Sequence, residues 1–175
     1  MIYSRRYQYL LSLLKSVNIE GYTAIDCGCG IGGGVWELLQ NNYKVKAYDI
    51  DKTCILECAK IGVSAEVANL CHLPLPNNYA DLFFCVETLE HLNETDIQTA
   101  VSEIKRTTRK NGIILITTPS DKKDCLSNPL HVQYLSYKQL NTLFKLPTIY
   151  IGQWFKHPND KSSLVLILRN ENGTK

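Results

Sequence analysis

The stretch Thr23-Ala24-Ile25-Asp26-Cys27-Gly28-Cys29-Gly30-Ile31-Gly32-Gly33-Gly34 decides the fold. A short apolar run ends in an acid, passes through a glycine-dense turn and enters a helix-like segment over 35–40. Glycine permits a sharp turn and lets a ligand approach the backbone with no Cβ in the way. Strand, glycine turn and helix together make the nucleotide-type pocket of an open α/β sheet. Two ligand classes compete for this one. Gly28, Gly30 and Gly33 fit the dinucleotide spacing G-x-G-x-x-G. Asp26 argues against that ligand, because a pyrophosphate sits on electropositive helix N-terminal amides. A carboxylate at the mouth of the loop repels it and attracts a ligand that carries positive charge.

Outward from this stretch, helical and strand patterns alternate. Tyr7, Leu10, Leu11 and Leu14 recur at helical spacing and predict a helix over 3–17. After a connector over 18–22 come a strand over 23–27, a helix over 35–41 and a strand over 45–50 that carries Asp49 near its end. Asp51 is placed to cap a helix over 53–61. A short strand over 65–68 and a loop over 69–79 follow. Residues 81–86 are almost continuously apolar, as a central parallel strand requires. A helix over 95–108, closed near Gly112, leads to a strand over 113–118 and a helix over 136–144 capped by Ser136. Strands over 149–155 and 163–168, joined by a polar connector at 158–160, and a polar tail over 170–175 complete the chain. Alternation implies right-handed crossovers and a parallel sheet. The expectation is one α/β domain over 1–175, with an N-terminal helix and a core over 22–169. Its sheet is seven-stranded and mostly parallel, with helices on both faces and a C-terminal antiparallel hairpin.

Composition agrees. At 175 residues, 45% hydrophobic and 21% charged, the chain is long enough for its own core and ordinary for a globular domain. Its longest apolar runs, such as 112–116 and 164–168, are too short to span a bilayer. Residues 1–7 lack the apolar region of a signal peptide, so a cytoplasmic location is expected. Seven Cys form no pair of C-x-x-C motifs. Cys54 and Cys58 share a helix face, but two ligands do not make a zinc site, and reduced thiols are expected. The net charge of +2 neither demands nor excludes nucleic acid.

S-adenosylmethionine, an adenosine joined to a sulfonium and an ammonium, is a ligand of the charge Asp26 favours. The string Asp26-Cys27-Gly28-Cys29-Gly30-Ile31-Gly32 resembles the first motif of the class I, Rossmann-like S-adenosylmethionine-dependent methyltransferases of the methyltransferase-11 and methyltransferase-23 type. The resemblance runs from about Tyr22 to Arg169 and implies cofactor contacts at Asp26, Gly28, Cys29, Gly30 and Gly32, around the methionine end. It gives Asp49 the ribose diol, to which a carboxylate offers two acceptors, and lays Ile50 against adenine. Asn69 and the Leu70 amide would face the adenine edge, although Asn69 also reads as a turn residue. Cys85 would stand near the methyl group. On the N-terminal helix, Arg5 or Arg6 would clamp the methionine carboxylate or simply face solvent.

The stretch Cys85-Val86-Glu87-Thr88-Leu89-Glu90-His91 follows the fourth strand and brings chemistry. Glu87, Glu90 and His91 stand at i, i+3 and i+4, so a helical turn gathers them on one side. With His131 as a later fourth ligand, they are candidates for a divalent metal, magnesium or manganese. Alternatively, His91, with Glu87, acts without metal as the catalytic base; a plain helix start is the third reading. The Glu-x-x-Glu-His pattern resembles the small-RNA 3′-terminal 2′-O-methyltransferases, whose metal is held by two Glu and two His, and the ubiquinone-pathway O-methyltransferases. The expected activity is methyl transfer to an O or N atom of a small-molecule acceptor. The alternatives are an RNA 3′ end, with Lys105, Arg106, Arg109, Lys110, Lys122 and Lys123 as a basic rim, or a non-catalytic S-adenosylmethionine-binding subunit. No insertion is large enough for a lid, so a partner protein that covers the open pocket is a further expectation.

Overall fold

The computed structural model describes residues 4–155 and 162–171. Residue 3 of the expected N-terminal helix, the connector at 158–160 and the tail beyond 171 lie outside the described residues. The elements run α1 (Ser4–Lys15), β1 (Thr23–Cys27), α2 (Gly33–Gln40), β2 (Lys44–Asp49), α3 (Lys52–Lys60), β3 (Glu66–Val67) and β4 (Ala80–Val86). A 3₁₀ turn (Leu89–His91), α4 (Glu94–Thr107), β5 (Thr108–Pro119), α5 (Lys122–Leu126), α6 (Tyr137–Phe144), β6 (Thr148–Phe155) and β7 (Ser162–Arg169) follow. The sheet has the order β3-β2-β1-β4-β5-β7-β6. β3, β2, β1, β4 and β5 pair in parallel, whereas β7 lies antiparallel between β5 and β6. The expected hairpin is present, and its second strand, β7, pairs with β5 while its first, β6, forms the sheet edge.

Strand alternation explains the two layers. Ile25, Phe83, Cys85, Ile114 and Ile116 point to one face and pack with Ile97, Ala100, Val101 and Ile104 of α4 and Leu140 and Phe144 of α6. Ala24, Leu82, Phe84, Ile113 and Leu115 point to the other and pack with Leu10, Leu11 and Leu14 of α1 and Leu38 of α2. Every residue of β4 is buried, as a central strand must be. Helix starts follow local chemistry. Asp51 accepts from the Thr53 amide at 2.7 Å. Asn93 accepts from the Thr95 and Asp96 amides, and Ser136 forms a capping box with Gln139.

Three expectations change. β5 begins at Thr108 directly after α4, rather than at 113, because Thr108 already pairs with Ala80. Glu87 lies outside any helical turn: its φ of 52° is left-handed, and only Leu89–His91 winds into a 3₁₀ turn. The six basic residues do not form one rim. Lys105 and Arg106 end α4 and Arg109 and Lys110 open β5, whereas Lys122 and Lys123 lie beyond the far end of β5. Arg106 is committed to Glu103, to the Leu73 and Leu75 carbonyls and to Asn77, and Arg109 pairs with Asp81. All seven cysteines are free thiols, and only Cys54 is partly exposed.

Candidate functional site

The strand order reverses between β1 and β4, and ligands of open α/β sheets bind outside the carboxyl ends of the strands at that point. The loop after β1 is built there. The amides of Gly28 and Cys29 donate to the Tyr48 carbonyl at 2.8 and 3.0 Å, and the Gly30 amide donates to Asp49 Oδ2 at 2.8 Å. Asp49 Oδ1 accepts from the Asp51 amide at 2.9 Å, so its carboxylate ties the glycine loop to the turn after β2. Each oxygen keeps a further acceptor position toward the pocket. Gly28 has φ +79°, and a Cβ there would meet Thr88 Cγ2 at 2.6 Å, so both backbone and space demand glycine. A Cβ at Gly34 would lie 2.6 Å from Asp26 Oδ2, which marks how closely α2 approaches the acid.

Asp26 is 2% exposed. Burial, then the charge of Asp49, push its carboxyl up to about 8. The acid read as a charged mouth of the loop is thus an acid poised to ionise when a cation arrives. Ile50, just after β2, is 71% exposed. The other residues expected at the cofactor make contacts within the protein. The Asn69 side-chain oxygen accepts from the Cys71 amide at 2.8 Å, which is a turn role. The Leu70 and Cys85 side chains are buried in the core, which leaves the Leu70 backbone amide, the group expected at adenine, as that residue's possible contact. Arg6 stacks over the Trp154 ring of β6, 4.9 Å from its centroid.

The second half of the site lies beyond β4. The Glu87 amide donates to the Thr117 carbonyl at 3.0 Å, and Glu87 Oε1 accepts from Thr117 Oγ1 at 2.7 Å. Those bonds to β5 hold its left-handed backbone. Glu90 is 0% exposed, and both its carboxylate oxygens lack a hydrogen-bond partner among the described residues. Burial, then the charge of Glu87, raise its pKa. The Glu90 carbonyl accepts from the Val132 and Gln133 amides, which bring the 128–133 loop against the 3₁₀ turn. His91 Nδ1 faces the Leu130 carbonyl at 2.9 Å, and His131 Nδ1 faces the Cys125 carbonyl at 2.9 Å. Facing carbonyls, both Nδ1 atoms are donors, so in the neutral ring it is Nε2 that is left to accept. The rings meet edge to face at 4.8 Å. Candidate ligand atoms of Glu90, His91 and His131 all lie within 4.8 Å of one another. Glu87, expected beside Glu90 and His91 among the ligands, is not in that group; its carboxylate accepts from Thr117 Oγ1 instead.

This donor set fits a divalent cation. Its carboxylate is orphaned and buried, and each imidazole is oriented through Nδ1 by a backbone carbonyl, as metal-bound histidines are. His131 Nε2 accepts from Asn128 Nδ2 at 2.9 Å, so that amide would turn aside. Thr117, Asn128 and the Leu130 carbonyl had no spacing signal in the sequence; only the fold brings them to the cluster. A separate groove lined by Leu14, Val17, Ile19 and Tyr43 lies at the opposite end of the sheet and holds none of this chemistry. No helix among the described residues is long and apolar enough to cross a membrane.

Comparisons with known proteins bear on the same residues. A family model described as a methyltransferase domain matches residues 25–116, from β1 through the Glu87–His91 stretch and into β5. A probable S-adenosylmethionine-dependent methyltransferase of Mycobacterium tuberculosis is 31% identical over 126 residues, covering 68% of this chain and 45% of its own length. An uncharacterized protein of Methanocaldococcus jannaschii is 28% identical over 155 residues, covering 80% of this chain and 66% of its own. The chain thus spans between 45% and 66% of the length of these relatives. Among solved structures, the N-methyltransferase NodS from Bradyrhizobium japonicum, in complex with S-adenosylhomocysteine, superposes with TM-score 0.78 at 19% identity, covering 95% of this chain and 86% of its own. A Pyrococcus horikoshii protein superposes with TM-score 0.78 at 15% identity, covering 95% and 90%. At such identities the likeness is one of fold.

Proposed function

This chain belongs to the methyltransferase-domain family, and from that premise we propose that it transfers the methyl group of S-adenosylmethionine to an oxygen or nitrogen of a small-molecule acceptor. The observation that carries this reading is the juxtaposition at the β1/β4 switch point. A buried Asp26 behind the glycine loop lies on one side, and a free imidazole nitrogen on His91 lies on the other. When bound, S-adenosylmethionine supplies a methyl group on a sulfonium whose thioether leaving group is neutral. The protein's task is then mainly alignment. Asp26 takes the ammonium end, Asp49 holds Gly30 and turns its remaining acceptor positions to the ribose, and Ile50 lies against the base.

Glu90, His91 and His131 would hold a divalent cation, which would lower the pKa of an acceptor hydroxyl. Two imidazoles and one carboxylate suit manganese better than magnesium, which prefers oxygen ligands. Without metal, His91 Nε2 is the base that receives the acceptor proton. Leu130 and Val132, 71% and 58% exposed beside the cluster, supply apolar surface for the acceptor body. The division of basic residues between the two ends of β5 supports a small acceptor over an RNA end. Free thiols throughout support a cytoplasmic setting.

The test is release of S-adenosylhomocysteine across a panel of small hydroxyl and amine acceptors and short RNAs. Release with a small acceptor, abolished by chelator and restored by manganese, is expected. Release that ignores chelator returns the role to His91 alone, and release with RNA only overturns the acceptor class.

A further inference from the structure

Tyr7 continues the apolar stripe of α1 with Leu10, Leu11 and Leu14, so the sequence reads it as a core position. The structure puts its ring elsewhere. A Cβ at Gly33 would stand 2.8 Å from Tyr7 Cε2, and one at Gly34 would stand 3.2 Å from Tyr7 Cε1. The same point at Gly34 is 2.6 Å from Asp26 Oδ2. The phenol ring therefore lies over the two glycines that open α2, in the same place that the Asp26 carboxylate approaches. Phe84 of β4 backs the ring at 6.3 Å between centroids.

The charges that act on the phenol come from both halves of the site: Asp26 at the end of β1, Glu87 beyond β4 and Arg6 on its own helix. Burial first, then Asp26, push its ionisation far above the usual tyrosine range, so the hydroxyl stays neutral. It is a polar group with lone pairs on a ring that lies at the opening of α2, beside the acid assigned to the methyl donor.

We infer that Tyr7 is a cofactor-positioning residue whose hydroxyl faces the sulfonium end of the methyl donor beside Asp26. The inference rests on the function proposed above. The oxygen lone pairs stabilise the positive sulfur and its polarised methyl C–H bonds, and they have no such partner once the product is a neutral thioether. Tyr7 therefore favours the charged donor over its product and helps to release the product.

Titration calorimetry of Tyr7→Phe with S-adenosylmethionine and with S-adenosylhomocysteine tests this. Phenylalanine keeps the ring against Gly33, Gly34 and Phe84, so an unchanged melting temperature is expected. Affinity for S-adenosylmethionine should fall about tenfold and for S-adenosylhomocysteine less than about twofold. Tyr7→Leu also removes the ring and should weaken both ligands. Equal losses for both ligands in Tyr7→Phe, or no loss for either, would overturn the inference. A wild-type protein that binds neither ligand would overturn the function reading, and this one with it.

Discussion

The burial of Asp26 makes cofactor affinity depend on pH in a defined direction. Its carboxyl, normally near 3.8, is pushed up to about 8 by burial and by Asp49. In the free protein roughly one carboxyl in a hundred is ionised at pH 6 and about one in ten at pH 7. A ligand with an ammonium and a sulfonium beside Asp26 selects the ionised form. Affinity for S-adenosylmethionine should therefore rise close to tenfold from pH 6 to pH 7, with nearly one proton released per ligand bound. Below pH 7 the ligand's own ammonium, with an ordinary pKa of roughly 7.7–8.0, stays protonated and adds no slope. Calorimetry in buffers of different ionisation enthalpy measures both quantities. Stability of the free protein moves the opposite way. The contribution of protonated Asp26 is complete below pH 3.8 and is lost as pH rises through about 8. Asp26→Asn should therefore flatten the decline in urea-unfolding free energy across that window, by up to about 1.4 kcal/mol per pH unit, while weakening the ligand at least tenfold at pH 7. Affinity independent of pH from 6 to 7, or an Asn variant that binds like wild type, would refute the reasoning.

Gly34→Ala should cost about 1–3 kcal/mol in urea unfolding, because the new Cβ meets Asp26 Oδ2 at 2.6 Å and Phe84 and Tyr7 ring carbons at 3.2 Å. Wild-type stability in that variant would show that α2 does not press on the acid. Glu90→Gln should raise the melting temperature of the metal-free protein above neutral pH, since it removes a buried acid with no partner, a gain on the order of 1–3 kcal/mol. It should also abolish the rise in melting temperature that manganese gives the wild type. A manganese effect that survives in Glu90→Gln and in His131→Ala would remove the cluster as a metal site.

Much of this was readable in the chain because period and punctuation are local. The apolar run of β4, the Asp51 and Ser136 caps and the Asp26–Gly34 stretch each act over a few residues, and the elements follow them closely. What was missed depends on distance in the fold. The start of β5 was hidden because Arg109, Lys110 and Asn111 look like a loop, yet Thr108 is recruited by Ala80. Glu87 kept its spacing to Glu90 but lost its helical geometry, because Thr117, thirty residues on, holds its amide and carboxylate. His131 was named as a ligand, whereas its orienting carbonyl and the Asn128 amide became visible only once the loop folded back on Glu90. Tyr7 has a core spacing, yet its ring lies over Gly33 and Gly34 at the opening of α2.

Equilibrium dialysis of the wild-type chain and Asp26→Asn against S-adenosylmethionine and against NAD tests the central claim most directly. The account predicts that the wild type retains S-adenosylmethionine and not NAD, and that Asp26→Asn loses the former. Retention of NAD without S-adenosylmethionine would contradict it.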